Sequence, residues 1–148
     1  PLPDIYATAE LGIFWDMSQC ATPDGFSDAE ALEKIINSVR VLGHRGHVSV
    51  STYGDMTDRH FPSEAGVKLN HFPAGEQFAK ETKMLEDVVA WAGENPSPST
   101  LMIVAGDVAE ELVDVVQLLK TQKNYNVLNI HPPPRPRPTM VVLIPPGN

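Results

Sequence analysis

Acidic residues fall along this chain at places where chemistry can be built. Asp16 directly follows the apolar run Leu11-Gly12-Ile13-Phe14-Trp15, Asp55 lies two residues past Tyr53, and Asp107 lies two residues past Ala105. A further pair, Glu81 and Asp87, is six residues apart, about 120° round a helix at roughly 3.6 residues per turn. Only one of that pair is expected to face a shared site. Loose carboxylate clusters suit hard cations such as Mg²⁺ and Mn²⁺, which take carboxylate oxygens and keep several waters. A cation so held polarises a phosphodiester and generates hydroxide for in-line attack. The structural alternative is plain. An aspartate after a strand is a common turn or cap residue, and Asp107 could cap a helix beginning near Val108.

Other chemistries find less support. His44, His47, His60, His71 and His131 show no HxxxH or HxH spacing for a metal. Ser18 and Cys20 lack a nucleophile-elbow context, and Gly43-His44-Arg45-Gly46 lacks the lysine of a phosphate loop. Gly12 lies inside an apolar run, so the dinucleotide fingerprint is absent. Trp15 and Trp91 read as core residues.

These acids need elements to position them. Leu11–Trp15 reads as a buried strand. Ser27 with Glu30 forms a capping box, and Leu32, Ile35, Ile36 and Val39 follow at helical spacing up to Gly43. His47 to Tyr53 alternates as a second strand, and Val67 to Phe72 reads as a short third one ended by Pro73. Phe78 to Gly93 reads as a helix with Met84, Leu85, Val88 and Ala92 on one face. Asn95-Pro96-Ser97-Pro98-Ser99 is a rigid connector to the clearest buried strand, Leu101–Ala105. A helix carrying Leu112, Val113, Val116 and Leu119 follows, then a strand from Asn126 to Ile130. The alternation predicts a three-layer α/β, Rossmann-like fold with a mainly parallel central sheet. Ligands in such sheets bind beyond the carboxyl ends of the strands, at the switch point in strand order. Asp16, Asp55 and Asp107 are all expected at that edge. The Leu11–Trp15 and Leu101–Ala105 strands, apolar throughout, are expected side by side in the sheet centre.

Composition bounds the function. The chain has 148 residues, 42% hydrophobic residues and a net charge of −8, which fits one folded domain and argues against coating nucleic acid by charge alone. One cysteine excludes an internal disulfide framework and fits a reducing, intracellular compartment. No apolar run approaches the roughly 20 residues of a membrane helix, so no membrane partner is expected. Residues 1–131 read as the domain and 132–148 as a tail holding half of the 14 prolines. Polyproline II or disorder is expected in the tail, with an edge strand at 139–144 as an addition. Pro132-Pro133-Pro134-Arg135-Pro136-Arg137-Pro138 could present a ligand for aromatic-lined grooves or act as a linker.

Four segments carry a family resemblance. Gly12-Ile13-Phe14-Trp15-Asp16-Met17-Ser18-Gln19-Cys20-Ala21-Thr22-Pro23 resembles the opening of NYN domains, a strand ending in Trp-Asp followed by an Asn-Cys-x-x-Pro turn. Tyr53-Gly54-Asp55 resembles the end of their second strand. Lys83 to Ala92 with Asn95-Pro96 is similar to the central helix of the limkain-like, plant-type members, and Val104-Ala105-Gly106-Asp107 to the Ser-Gly-Asp-x-Asp-Phe motif. The resemblance spans about residues 10–131 and implies a PIN-like fold with metal-dependent endoribonuclease chemistry.

Carried over residue by residue, Asp16, Asp107 and Glu81 match metal ligands for Mg²⁺ or Mn²⁺. Asp55 or Asp87 would orient water or act in an outer shell. Lys83 would neutralise a phosphate of an RNA substrate, expected to be single-stranded, and Gln19 stands with it on the substrate side. The chain departs from the pattern at Gln19 for Asn, Glu81 for Asp, and Ala109-Glu110 for Asp-Phe. These departures support a second reading, an RNA-binding or dimerisation module that kept the fold and lost the chemistry.

Overall fold

The computed structural model describes residues 2–130, so the proline-rich tail and the strand expected at 139–144 lie outside the described residues. Five strands and three α-helices run in the order β1 (Glu10–Asp16), α1 (Asp28–Val41), β2 (Val48–Gly54), β3 (Lys68–His71), α2 (Gln77–Glu94), β4 (Ser99–Val104), α3 (Glu110–Gln122) and β5 (Asn126–Ile130). The strands form one sheet in the order β3-β2-β1-β4-β5, and every neighbouring pair is parallel. β1 and β4 are adjacent at the centre, with Gly12 opposite Leu101 and Trp15 opposite Val104.

Side-chain alternation along β1 divides the core into two layers. Leu11, Ile13 and Trp15 face α1, packing with Ala31, Leu32, Val39, Met102 and Val104. Phe14 points the other way, into a cluster with Met84, Val88 and Trp91 of α2 and Leu112 and Leu119 of α3. Gly12 shares that second face, where a Cβ would lie 2.4 Å from Trp91 Cε2; only glycine lets the indole reach the sheet. β1 is therefore buried on both faces, as its unbroken apolar run requires.

The capping box starts α1 as the sequence predicts. The Ser27 hydroxyl accepts from Glu30 N–H at 3.1 Å, and Ser27 N–H donates to Glu30 Oε1 at 3.1 Å. α3 begins at Glu110, with Ala109 at its N-cap position, and not near Val108. Asp107 therefore sits outside the helix and does not cap it. The β2–β3 connection, residues 55–67, holds a short 3₁₀ turn at Ser63–Ala65 in place of a crossover α-helix. Among the described residues no helix is long and apolar enough to cross a membrane.

Candidate site at the carboxyl edge of the sheet

Strand order reverses between β1 and β4, so the carboxyl end of β1 is where this architecture places a ligand. Asp16 is the last residue of β1 and is only 3% exposed. Its Oδ1 accepts from Ser18 N–H at 3.0 Å, Ser18 O–H at 2.6 Å and Gln19 N–H at 3.3 Å. This is an Asx-type turn, and it reverses the chain against β2. Met17 N–H reaches the Tyr53 carbonyl at 2.8 Å, and Gly54, at φ 142°, leaves room for the turn to pass.

The other carboxylate oxygen faces a lysine. Lys80 Nζ lies 2.9 Å from Asp16 Oδ2, and Lys80 is 2% exposed. The ammonium also donates to Ser18 Oγ and, at 2.9 Å, to Gln77 Oε1. Its three protons thus meet three oxygens from two elements. Nothing in the residue types marked Lys80 as part of the site. The signal was its register: Lys80, Met84, Val88 and Trp91 are the buried positions of α2, spaced four, four and three, so a lysine stands on an apolar stripe. A buried lysine needs a partner, and Asp16 supplies it. Beside the pair opens a cavity of about 310 Å³, lined by Ser18, Asp55, Arg59, Phe72, Gln77 and Lys80.

Of the other candidate acids, Asp55 lines that cavity. Asp55 is exposed and closes its own turn, accepting from Thr57 O–H at 2.6 Å and Thr57 N–H at 3.0 Å; those bonds hold its carboxyl below the usual range. His71 Nδ1 is 3.7 Å from Asp55 but accepts the Met56 N–H at 2.9 Å, so that nitrogen carries no proton to share with the carboxylate. Asp87 Oδ2 accepts from the Tyr53 hydroxyl at 2.7 Å, and Lys83 Nζ lies 3.0 Å from Oδ1. Burial first, and the Asp87 bond second, push the Tyr53 phenol far above its usual range. Lys83 and Asp87 line a separate hollow of about 240 Å³ with Ser49, Ser51, Lys68 and Asn70 of β2 and β3. Glu81 accepts from Gln77 Nε2 at 2.6 Å and lines a small hollow between α2 and α3 that includes Ala109. Asp107 is exposed in the turn after β4. The Gln19 side-chain oxygen is buried without a hydrogen-bond partner among the described residues.

Among the described residues, no group of three or more His, Cys, Asp or Glu side chains comes together to hold a metal ion. The carboxyl-edge pocket does not fit a divalent cation as it stands, because the Lys80 ammonium lies against Asp16 Oδ2 and, among the described residues, no group of three carboxylates, histidines or cysteines surrounds it.

The comparisons with known proteins bear on the family. No curated protein matches the chain. The NYN domain family model matches residues 10–141, most of the chain and all of the sheet. The chain therefore belongs to the NYN domain family of the PIN-like nuclease superfamily, whose domains generally use divalent metal ions.

Proposed function

We propose that this NYN domain keeps the PIN-like scaffold as an interaction module and does not cleave RNA through a bound Mg²⁺ or Mn²⁺. One observation carries the reading: among the described residues no three of the acids that a shared metal site would draw on come together, and four of the five are engaged by other side chains. Asp16 is taken by Lys80, Asp87 by Tyr53 and Lys83, Asp55 by Thr57 and Glu81 by Gln77, while Asp107 is exposed. Charge favours a protein partner over RNA. The net charge is −8, and the cations nearest the carboxyl-edge cavity, Arg59 and Lys80, are both paired with aspartates. The resemblance of the Tyr53-Gly54-Asp55 and central-helix segments supports placement in the limkain-like, plant-type branch. The single cysteine supports an intracellular, reducing setting.

A metal-dependent endoribonuclease is the second reading, favoured by family membership. The test is direct. Single-stranded and duplex RNA are incubated with the protein and Mn²⁺, with and without chelator, beside Asp16→Ala. The expected result is no chelator-sensitive, Asp16-dependent cleavage. Cleavage that disappears with chelator and in Asp16→Ala overturns the interaction-module reading.

A further inference from the structure

We infer that Lys80 is the resident cation of this domain: its ammonium occupies an oxygen cage at the end of β1 that takes a hard divalent cation once the lysine is removed. The inference rests on the interaction-module reading and explains it. The cage is built from Asp16 Oδ2, Ser18 Oγ and Gln77 Oε1, a carboxylate, a hydroxyl and an amide oxygen. Those are the ligand types that Mg²⁺ and Mn²⁺ take, with waters completing the shell. The lysine stem brings the positive charge in along α2, so the pocket needs no ion from solvent.

Two further features show that the placement of Lys80 is set by Asp16 and not by its helix. Lys80 lies in the first turn of α2, where the helix dipole disfavours a cation. The stripe it shares with Met84, Val88 and Trp91 is otherwise apolar and buried. A lysine at such a position is disfavoured both by burial and by the helix end unless a carboxylate faces it. Ser18 completes a closed ring, accepting from Lys80 and donating to Asp16.

The test reads metal binding, not cleavage. Thermal unfolding of the whole chain is followed with Mn²⁺ and with chelator for wild type, Lys80→Ser, Lys80→Gln and the double variant Lys80→Ser/Asp16→Asn. Wild type and the double variant are expected to be indifferent to Mn²⁺. Lys80→Ser is expected to rise by about 3–6 °C at roughly tenfold excess of Mn²⁺ over its dissociation constant. Lys80→Gln is expected to rise less, because the longer side chain still fills part of the cage. If Lys80→Ser stays unfolded in chelator but folds on adding Mn²⁺, the inference holds; if it stays unfolded in both, it is overturned. An Asp16-dependent rise in wild type also overturns it, as does no rise in either single variant. Wild-type RNA cleavage sinks the interaction-module reading instead, so the two failures are separable.

Discussion

Asp16 Oδ2 and Lys80 Nζ stand 2.9 Å apart with both side chains almost wholly buried, and the pair ties the end of β1 to the start of α2. Burying two charges is costly, and such a pair is held by its mutual attraction plus the hydrogen bonds that satisfy the remaining protons and lone pairs. Here Ser18, Gln19 and Gln77 supply them.

Breaking the pair on one side leaves an uncompensated buried charge. Lys80→Met and Asp16→Asn are each expected to lose about 3–5 kcal/mol of stability in urea unfolding. The double variant Asp16→Asn/Lys80→Met is expected to lose less than the sum of the single losses, because no buried charge is left unpaired and the amide oxygen keeps the turn bonds from Ser18 and Gln19. If the two single losses simply add in the double variant, the ion pair is not what couples β1 to α2.

The Tyr53–Asp87 bond makes an alkaline prediction. The phenol is fully buried, and its pKa is raised by burial and by the neighbouring carboxylate. The folded state therefore binds its proton more tightly than the unfolded chain, where tyrosine titrates near about 10. The contribution is fully present below that value and is lost as pH rises above it. Stability should thus fall with pH beyond about 10, and Tyr53→Phe should flatten part of that slope. Tyr125, also raised by burial, accounts for part of what remains. Equal slopes in wild type and Tyr53→Phe would exclude this account.

Sequence periodicity reveals the layers because the chain is apolar without a break from Leu11 to Trp15 and from Leu101 to Val104, and α2 repeats its buried positions at helical spacing. The carboxyl edge is also readable, since Asp16 follows the apolar run Leu11–Trp15 without a gap and ends β1. What the sequence did not reveal was side-chain direction within two residues of a turn. Asp55 and Asp107 lie past their strand ends, where turn geometry decides where a carboxylate points, and both are exposed. Glu81 and Asp87 do diverge, as about 120° of separation requires: Asp87 turns to Tyr53 and Glu81 to the α2–α3 hollow. Lys80 gives little sign in the sequence, because a lysine among helix residues reads as solvated, although its register with Met84 and Val88 places it inside.

A second buried aspartate links elements on the other side of the fold. Asp28 in the first turn of α1 accepts from Thr22 O–H at 2.6 Å, His60 N–H at 2.8 Å and Arg59 Nη1 at 3.0 Å. Burial alone would raise its pKa, but these three donors together bring it below the usual range. Its stabilising effect is therefore present above the unfolded value near about 4 and is lost as pH falls through the lower folded value. Asp28→Ala is expected to cost roughly 1–3 kcal/mol and to shift the acid unfolding midpoint upward. It should also speed amide exchange at His60, whose N–H loses its acceptor. Unchanged exchange at His60 would show that the 55–67 connection is held by other contacts.

Gly12 sets the fit between the sheet and α2, and a methyl group tests it. A Cβ at this position would lie 2.4 Å from Trp91 Cε2 and 2.7 Å from Nε1, well inside contact distance. The indole has little freedom to withdraw. Phe14 meets it edge-on at 6.0 Å and Tyr125 flanks it at 6.0 Å. Tyr125 is in turn fixed by hydrogen bonds to the Ala92 and Asn95 carbonyls, both at 2.7 Å. Gly12→Ala must therefore displace α2 or drive Trp91 off its rotamer, at an expected cost of about 1–3 kcal/mol. The same displacement would pull Lys80, on the same buried stripe, away from Asp16. The double variant Gly12→Ala/Trp91→Phe should cost less than the sum of its single changes, because the smaller ring vacates the space that the methyl enters. Urea unfolding of the four proteins in that cycle measures the coupling. Strictly additive losses would mean that Gly12 is small for some reason other than Trp91.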